Sequence, residues 1–413
     1  MSQKPLTKKQ LVSALEMVQA CDGNVAKAAR ENQVPVTTLK RHYMAALVSK
    51  VVAVSVGVDE AEDDDGSLEH KIKVLEAQLK AFKNNEISHK LIRSKVMKLS
   101  DVSATAPKWL LLSENRQSHH ESVPTIMASD WHYGEVIDPT QIGGVNEYNL
   151  DIAKQRARTL IEGATDLLKN HLSNADYPGI IFALGGDMVS GDIHDELAAT
   201  NEIPLIPAML ELLDLLVWCI GTLADNFGAV FVPCVTGNHG RNTNKIRCKD
   251  RHYTSFDWLL YVLLEKHFKS DERVTFMVSD GPDAYYKVYN HRYLLSHGDQ
   301  FRGGDSMIGC LGPIIRGDHK KRSRNMQVGA EYDTMILGHW HQLIQTQRLI
   351  VNGSLCGYNE YAYANNFGFE VPKQALWLTH ATRGITFSCP VHADPSASFV
   401  KQKAEWLSVP AKK

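Results

Sequence analysis

The run Ile180-Ile181-Phe182-Ala183-Leu184 climbs to Gly185-Gly186 and stops on Asp187. A short apolar run of this kind, bounded by glycine, predicts a buried strand. The glycines let the backbone turn sharply and lie close to another segment. Asp187 then falls at the strand's C-terminal end, where open α/β sheets place their ligands. A strand followed by glycine and aspartate is often only a turn. Here four other strand ends carry polar residues of the same chemical kind, and that recurrence constrains the chain more than any other feature.

The chain has 413 residues, 44% hydrophobic and 22% charged, enough for a sizeable core and two or three domains. A formal net charge of −2 excludes polyanion binding by bulk charge, so local patches must carry any such role. Cys21, Cys219, Cys234, Cys248, Cys310, Cys356 and Cys389 are scattered without a CxxC pair. That pattern argues for a reducing compartment and against a disulfide framework or a thiolate zinc site. The first ten residues carry no apolar signal-type run, so a cytoplasmic location is expected. Residues 210–223 are apolar but interrupted by Glu211 and Asp214, which predicts a buried helix and no membrane span.

Three short helices are expected within residues 1–50. Asn24 is a candidate cap for Val25–Glu31, Asn32-Gln33-Val34-Pro35 a turn, and a further helix follows to Leu47. Small Ala28 and Ala29 permit close packing, and Lys40 and Arg41 give the last helix a basic face. This stretch resembles helix-turn-helix DNA-binding modules of the Fis or Psq kind. The resemblance implies Thr37, Thr38, Lys40, Arg41 and Tyr43 as the DNA-contacting set, with early side chains at base edges and the two cations on phosphates. A protein-interaction domain with a solvated basic face is the other reading. Residues 51–67 end in an acidic block and read as a linker. Residues 68–105 form a helical connector, with Leu68, Ile72, Leu75, Leu79 and Phe82 at helical spacing. The 68–99 helix could join protomers into a homo-oligomer or pack on the next domain.

From 106 to 392 strands alternate with helices, and 393–413 reads as a peripheral tail. The expected strands end on ligand-type residues: Asp130-Trp131-His132, Gly186-Asp187, Gly237-Asn238-His239, His297-Gly298-Asp299 and Gly338-His339-Trp340-His341. Carboxylate, imidazole and amide donors together suit Mn, Fe or Zn better than a thiolate site does. The i, i+2 spacing of Asp130/His132 and His339/His341 lets an extended loop turn two side chains to one side. Singly, each could be a helix cap, a satisfied core histidine or a turn residue. The ordered set of five motifs makes coincidence untenable.

That ordered set resembles the calcineurin-like metallophosphoesterase superfamily, over roughly residues 123–388. The resemblance implies an α/β fold: a four-layer β-sandwich flanked by helices, here preceded by the small all-α domain and the helical connector. It implies two divalent ions, Mn2+ first and Fe, Zn, Ni or Mg as alternatives. Asp130, His132, Asp187 and His341 would hold one; Asp187, Asn238, His297 and His339 the other. A water acidified between two such cations would attack phosphorus in line. His239 would stabilise the transition state or protonate the leaving oxygen.

The sequence departs from the pattern after Asn238-His239, where an acidic residue is common and Gly240-Arg241 stand instead. The acid partner for His239 is then Asp192 or Asp195, or is missing, and Arg241 could grip a phosphate with its planar fork. Two basic segments, Arg241–Arg251 and Arg316–Arg324, read as rim loops, with Arg247, Lys249, Arg316, Lys320 and Lys321 as candidate phosphate contacts. Gly303-Gly304-Asp305 and Gly312-Pro313 suggest a turn-rich lid. These features together predict a DNA-directed phosphodiesterase with nucleic acid as partner. The alternatives are a phosphomonoesterase or small-nucleotide phosphodiesterase, and a DNA-binding regulator with an inert phosphoesterase domain. The combination looks like proteins of phages or mobile elements.

Overall fold

The chain divides into two units, Met1–Ile87 and Ser88–Lys413. The computed structural model describes residues 13, 17–18, 25–32, 34–35, 38–39, 42, 106–111, 122–172, 176–303 and 309–394. In the first unit, helix α1 (Val25–Glu31) is present, and Val18, Ala28, Ala29 and Leu39 are buried together against Met17 and Val34. Thr38 is half-buried. Thr37, Lys40, Arg41 and Tyr43 lie outside the described residues, as do the acidic linker, the 68–105 connector and residues 395–413.

The second unit is built around strands that are buried along their whole length, among them 122–128, 180–184 and 230–234. The first is β1 (Ser122–Ala128), followed by helix α2 (Leu150–Asp166) and β2 (Ile180–Leu184). Helices α3 (Asp195–Thr200) and α4 (Leu205–Phe227) lead to β3 (Val230–Cys234); α5 (Phe256–His267) leads to β4 (Val274–Val278). Then come β5 (Asp283–Val288), β6 (His291–Ser296), helix α6 (Leu311–Gln327), β7 (Thr334–Leu337), β8 (Ile344–Gln345) and β9 (Leu349–Val351). Helix α7 (Glu360–Ala364) and the hairpin β10 (Lys373–His380) and β11 (Gly384–His392) complete the described part.

These strands form two mixed sheets. One runs β11-β10-β1-β2-β3-β4, with β1 to β4 parallel and the hairpin antiparallel at one side. The other runs β5-β6-β7-β9-β8, with β6, β7 and β9 parallel. The period-2 alternation of side chains explains the layering. Met127, Ile181, Ala183 and Phe231 turn inward and share one core with Tyr286, Tyr293, Leu295, Ile336 and Ile350 of the second sheet. Their neighbours Ile126, Phe182, Leu184 and Val232 face the other way, onto α2, α4 and α5. Leu294, Met335 and Val351 likewise face outward from the second sheet, onto Ile314 of α6. The order is helices, sheet, sheet, helix.

Helix α4 is the one described helix long and apolar enough to cross a membrane. Its Leu212, Leu216, Cys219, Ile220 and Leu223 are buried in the core shared with α2 and α5, as expected for a buried helix.

Two expectations are overturned in one helix: Gly312-Pro313, read as part of a turn-rich lid, lie in the first turn of α6. Residues 316–324, read as a loop, belong to α6. The stripe of α6 turned toward the second sheet is Ile314, Gly317, Lys321 and Asn325, at helical spacing but mostly not apolar, so hydrophobic periodicity cannot reveal it. Pro313 sits in the first turn, where proline is tolerated. Lys321 is therefore no phosphate contact. It is 5% exposed and forms an ion pair with Asp283, while donating to Ser296 Oγ and Gln300 Oε1, both at 3.2 Å. Removing one member of a buried pair strands the other charge, at a cost of about 3–5 kcal/mol. Arg324 also reaches Asp283, at 3.1 Å, which softens the loss. Lys321→Met is expected to lower unfolding stability by about 3 kcal/mol in urea titration while leaving the salt dependence of any nucleic-acid binding unchanged. Arg316 and Lys320 sit on the exposed side of the same helix.

Candidate metal centre

Every parallel strand that carries a motif delivers it at its C-terminal end: β1 to Asp130 and His132, β2 to Asp187, β3 to Asn238 and His239, β6 to His297, β7 to His339 and His341. The loops that follow are strained. Asp130, His132, Asp187, His339 and His341 have φ of 56°, 46°, 50°, 71° and 51°. They are five of the eight described non-glycine residues in left-handed backbone, although such residues are uncommon overall. Strain of this kind persists only where surrounding structure enforces it, and it gathers at functional sites. It also corrects the expected reason for convergence. Asp130 with His132, and His339 with His341, are brought to one side by left-handed turns and not by extended backbone.

The donors meet. His132 Nε2 lies 3.1 Å from His341 Nε2, and His341 Nε2 is 3.5 Å from Asp130 Oδ1. His297 Nε2 is 2.9 Å from Asp187 Oδ2 and 3.2 Å from Asn238 Oδ1. Ligand atoms of His132, Asp187 and His239 lie within 4.8 Å of one another, and so do those of Asp187, His297 and His339. Asp187 belongs to both groups, and His132 ties the first of them to His341. The seven expected ligands thus form one continuous cluster.

Its electrostatics favour a cation. Asp130, Asp187 and His297 are almost fully buried. Burial alone would raise both carboxyls, but His341 holds Asp130 below the usual carboxylate range, and His297 and His239 hold Asp187 well below it. Burial likewise opposes charge on His297, yet Asp187 lifts its pKa to about 10. Burial keeps His132 well below an ordinary histidine and, together with His297, holds His339 at about 4, so both rings are neutral donors. Two imidazole nitrogens facing each other at 3.1 Å, His132 Nε2 and His341 Nε2, fit residues arranged around positive ions. The donor set suits divalent transition metals.

A second tier of residues holds the ligands, and sequence reading missed it. Asp257, at the start of α5, is fully buried and accepts three backbone N–H groups: Asp187 at 3.1 Å, Met188 at 3.3 Å and Gly237 at 2.9 Å. Burial and the neighbouring Asp187 push its pKa up to about 6. Gly186 and Gly237 pack backbone on backbone there; a Cβ on either would overlap the other loop. Asp257→Ala would leave three N–H groups unpaired at about 1–3 kcal/mol each. It is expected to cost at least about 3 kcal/mol of stability and to lower metal content, read by urea titration and elemental analysis. On the other side, Ser129 Oγ donates to Asp130 Oδ2 at 2.5 Å and accepts from Asn352 Nδ2 at 2.9 Å. Gln374 Oε1 accepts the Ser129 N–H at 3.0 Å. Asn352 and Gln374 carry no motif, since each reaches Ser129 across more than 200 residues of chain.

His239 is half-exposed at the cluster's edge, its ring centroid 4.5 Å from that of His132. Its partner is not acidic: Nδ1 lies 2.9 Å from the Ser190 carbonyl, in place of the expected Asp192 or Asp195. A carbonyl partner makes Nδ1 a donor and leaves Nε2 to face the site, where it can give up a proton only from the doubly protonated ring. Arg241 also departs from expectation. Its Nη1 donates to Asn238 O at 2.7 Å and its Nε to Thr243 O at 3.0 Å, so the guanidinium shapes the ligand loop in place of forking onto a phosphate. Arg251 bridges Gly237 O and Asp299, at 3.0 and 2.9 Å. Arg247 and Lys249 are exposed on the loop between. His194, which has no sequence pattern, stands with its ring 5.8 Å from that of His239. Cys356 Sγ lies within 4.8 Å of His132 and His341 ligand nitrogens, and burial pushes its thiol well above the usual range.

No protein-family profile matches the sequence, and no curated protein matches it. Among solved structures it is similar to an uncharacterized protein, a predicted phosphoesterase, from Streptococcus pneumoniae: 9% identity, TM-score 0.25, covering 65% of this chain and 97% of that one. It is also similar to a protein assigned as a 5′-nucleotidase from Staphylococcus aureus, in complex with alpha-ketoglutarate: 13% identity, TM-score 0.32, covering 68% of this chain and 56% of that one. A third is the sulfate thiohydrolase SoxB of Thermus thermophilus, in complex with glycerol: 11% identity, TM-score 0.25, covering 67% and 57%. At these scores the likenesses assign this chain no activity, and the functional reading rests on its own residues.

Proposed function

We propose that this chain hydrolyses phosphodiester bonds of nucleic acid, DNA first, with two divalent metal ions, Mn2+ first. The observation that carries the reading is the position of the Asp187 carboxylate in two overlapping donor groups at one rim of strand ends. Asp130, His132, Asp187 and His341 would hold one ion, and Asp187, Asn238, His297 and His339 the other. When bound, such a pair supplies Lewis acidity toward the phosphoryl oxygens and acidifies a water between them. The chain's own residues do the rest. Left-handed loops orient the donors, Asp257 and Ser129 fix those loops, and His239, oriented by Ser190 O, offers Nε2 to the leaving oxygen. The exposed cations Arg247 and Lys249 support a polyanionic substrate, because phosphate contacts of this kind dominate nucleic-acid affinity. The 1–50 segment would add a second DNA contact, and the 68–99 helix a route to self-association.

The test is a matrix of metals and substrates on the purified chain: Mn2+, Zn2+ and Mg2+ against bis-p-nitrophenyl phosphate, p-nitrophenyl phosphate, and single- and double-stranded DNA. Expected are loss of all hydrolysis on chelation, recovery with Mn2+, and diester preferred over monoester. A monoester preference without cleavage of any nucleic acid overturns the nuclease reading. Less than one bound ion per chain with no hydrolysis overturns the enzyme itself and leaves a regulator.

A further inference from the structure

We infer that the segment 358–370 is a stacking platform for unpaired nucleobases, placed beside the metal centre so that the reactive phosphate belongs to a single strand. The inference rests on the phosphodiesterase reading and names its substrate class. Five aromatic residues fall within twelve positions here: Tyr358, Tyr361, Tyr363, Phe367 and Phe369. Four of them are exposed, at 67% for Tyr361, 52% for Tyr363, 51% for Phe367 and 55% for Phe369. Isolated exposed rings are ordinary, but a cluster of four marks a binding surface.

The rings are held in place. Asn359 caps α7 by accepting the Ala362 N–H at 3.0 Å, Phe367 N–H donates to Ala362 O at 2.9 Å, and Tyr358 Oη donates to Phe367 O at 2.8 Å. Tyr361 meets Phe367 edge-on at 5.8 Å, and Tyr358 meets Phe369 edge-on at 5.4 Å. The segment is also fastened to the metal centre. Asn359 Nδ2 donates to Glu135 Oε1 at 3.0 Å, and Glu135 Oε2 is 3.7 Å from His132 Nδ1. Two residues past His341, the Leu343 N–H donates to the Glu370 carboxylate at 2.9 and 3.1 Å.

Charge then selects the occupant. The segment contains Glu360 and Glu370 and no lysine or arginine, which unsuits it for an anionic lipid surface or for phosphates. Cations lie on the loop that follows His239, where Lys245, Arg247 and Lys249 are exposed, and the His239 ring stands 4.5 Å from that of His132. A single strand satisfies both features, with phosphates toward the cations and bases on the rings. Base-on-aromatic stacking is indifferent to sequence and needs bases free of a duplex.

The test uses the full chain with Mn2+ and two substrates of equal length: a single-stranded oligodeoxynucleotide and the same strand with tetrahydrofuran abasic residues. Wild type is expected to favour the base-bearing strand. The double substitution Tyr361→Ala with Phe367→Ala should raise KM for that strand about 10- to 100-fold, with kcat and abasic cleavage unchanged. Tyr361→Trp alone should preserve the preference. If wild type and the double variant cleave both strands alike, the platform is overturned while the nuclease stands. If wild type cleaves neither strand, the nuclease reading falls. Binding of a 2-aminopurine oligonucleotide in EDTA then decides: quenching lost in the double variant upholds the platform, and unchanged quenching overturns it. A dimer in wild type that dissociates in the variant with cleavage unchanged assigns the rings to self-association and overturns the inference. So does protection by dAMP that the variant loses while oligonucleotide KM stays constant.

Discussion

Replacing Asp187 by asparagine is expected to abolish metal-dependent hydrolysis, with kcat/KM falling on the order of 10³-fold or more. The argument is geometric. Oδ2 sits 2.9 Å from His297 Nε2, and Oδ1 accepts the His239 N–H at 2.6 Å. The same carboxylate stands in both donor groups that could hold an ion. An asparagine keeps one oxygen but removes the charge and turns an NH2 toward either His297 or the His239 N–H. Two ions held here would then share no anion, and each would keep mainly neutral donors. Metal content per chain should drop by at least half. Stability without metal should fall, because buried His297 loses the carboxylate it pairs with, and relief of the push against Asp257 offsets only part of that loss. Elemental analysis, bis-p-nitrophenyl phosphate turnover and urea unfolding read the three effects separately. Full metal occupancy with activity within a few-fold of wild type would remove Asp187 from the centre.

What the sequence discloses is set by how local the physical signal is. The strands read correctly because β1, β2 and β3 are buried on both faces, and such runs are continuous and apolar. The convergence of the motifs on one cluster read correctly because each follows a strand end within a few residues. The cause of their convergence did not, since left-handed φ at Asp130 or His339 leaves no mark when the residue is not glycine. The support around them is invisible for a related reason. Asp257 looks like any acidic residue in a helix's first turn, and Gln374 like any polar residue in a strand, until the fold brings them to Gly237 and Ser129. Ser190 holds His239 through a carbonyl, which every residue possesses. Helix α6 was misread because the side it buries is glycine, lysine and asparagine. A buried lysine has no sequence signature apart from its partner, and Asp283 lies 38 residues away.

His239→Ala is expected to lower kcat by about 10²–10⁴-fold while leaving metal content unchanged. Both halves follow from the ring's placement. His239 is half-exposed at the cluster's edge, whereas His132 and His297 are buried within it. Its Nδ1 is committed to Ser190 O, so one nitrogen remains for substrate. Its backbone N–H, which holds Asp187, survives the substitution, so the Asp187 carboxylate should keep its position. The side chain alone is removed, and the loss should then depend on the leaving group. An ester that expels p-nitrophenolate needs little protonation; an internucleotide bond expels a far more basic alkoxide. A proton donor's removal should therefore depress DNA cleavage more than bis-p-nitrophenyl phosphate hydrolysis, by at least about tenfold. Equal losses on both substrates would mean that His239 stabilises charge on the phosphoryl group without transferring a proton. Loss of metal along with activity would instead make it a ligand, as its place in the group with His132 and Asp187 permits. The leaving-group comparison separates these roles because only the proton donor's share scales with the basicity of the departing oxygen.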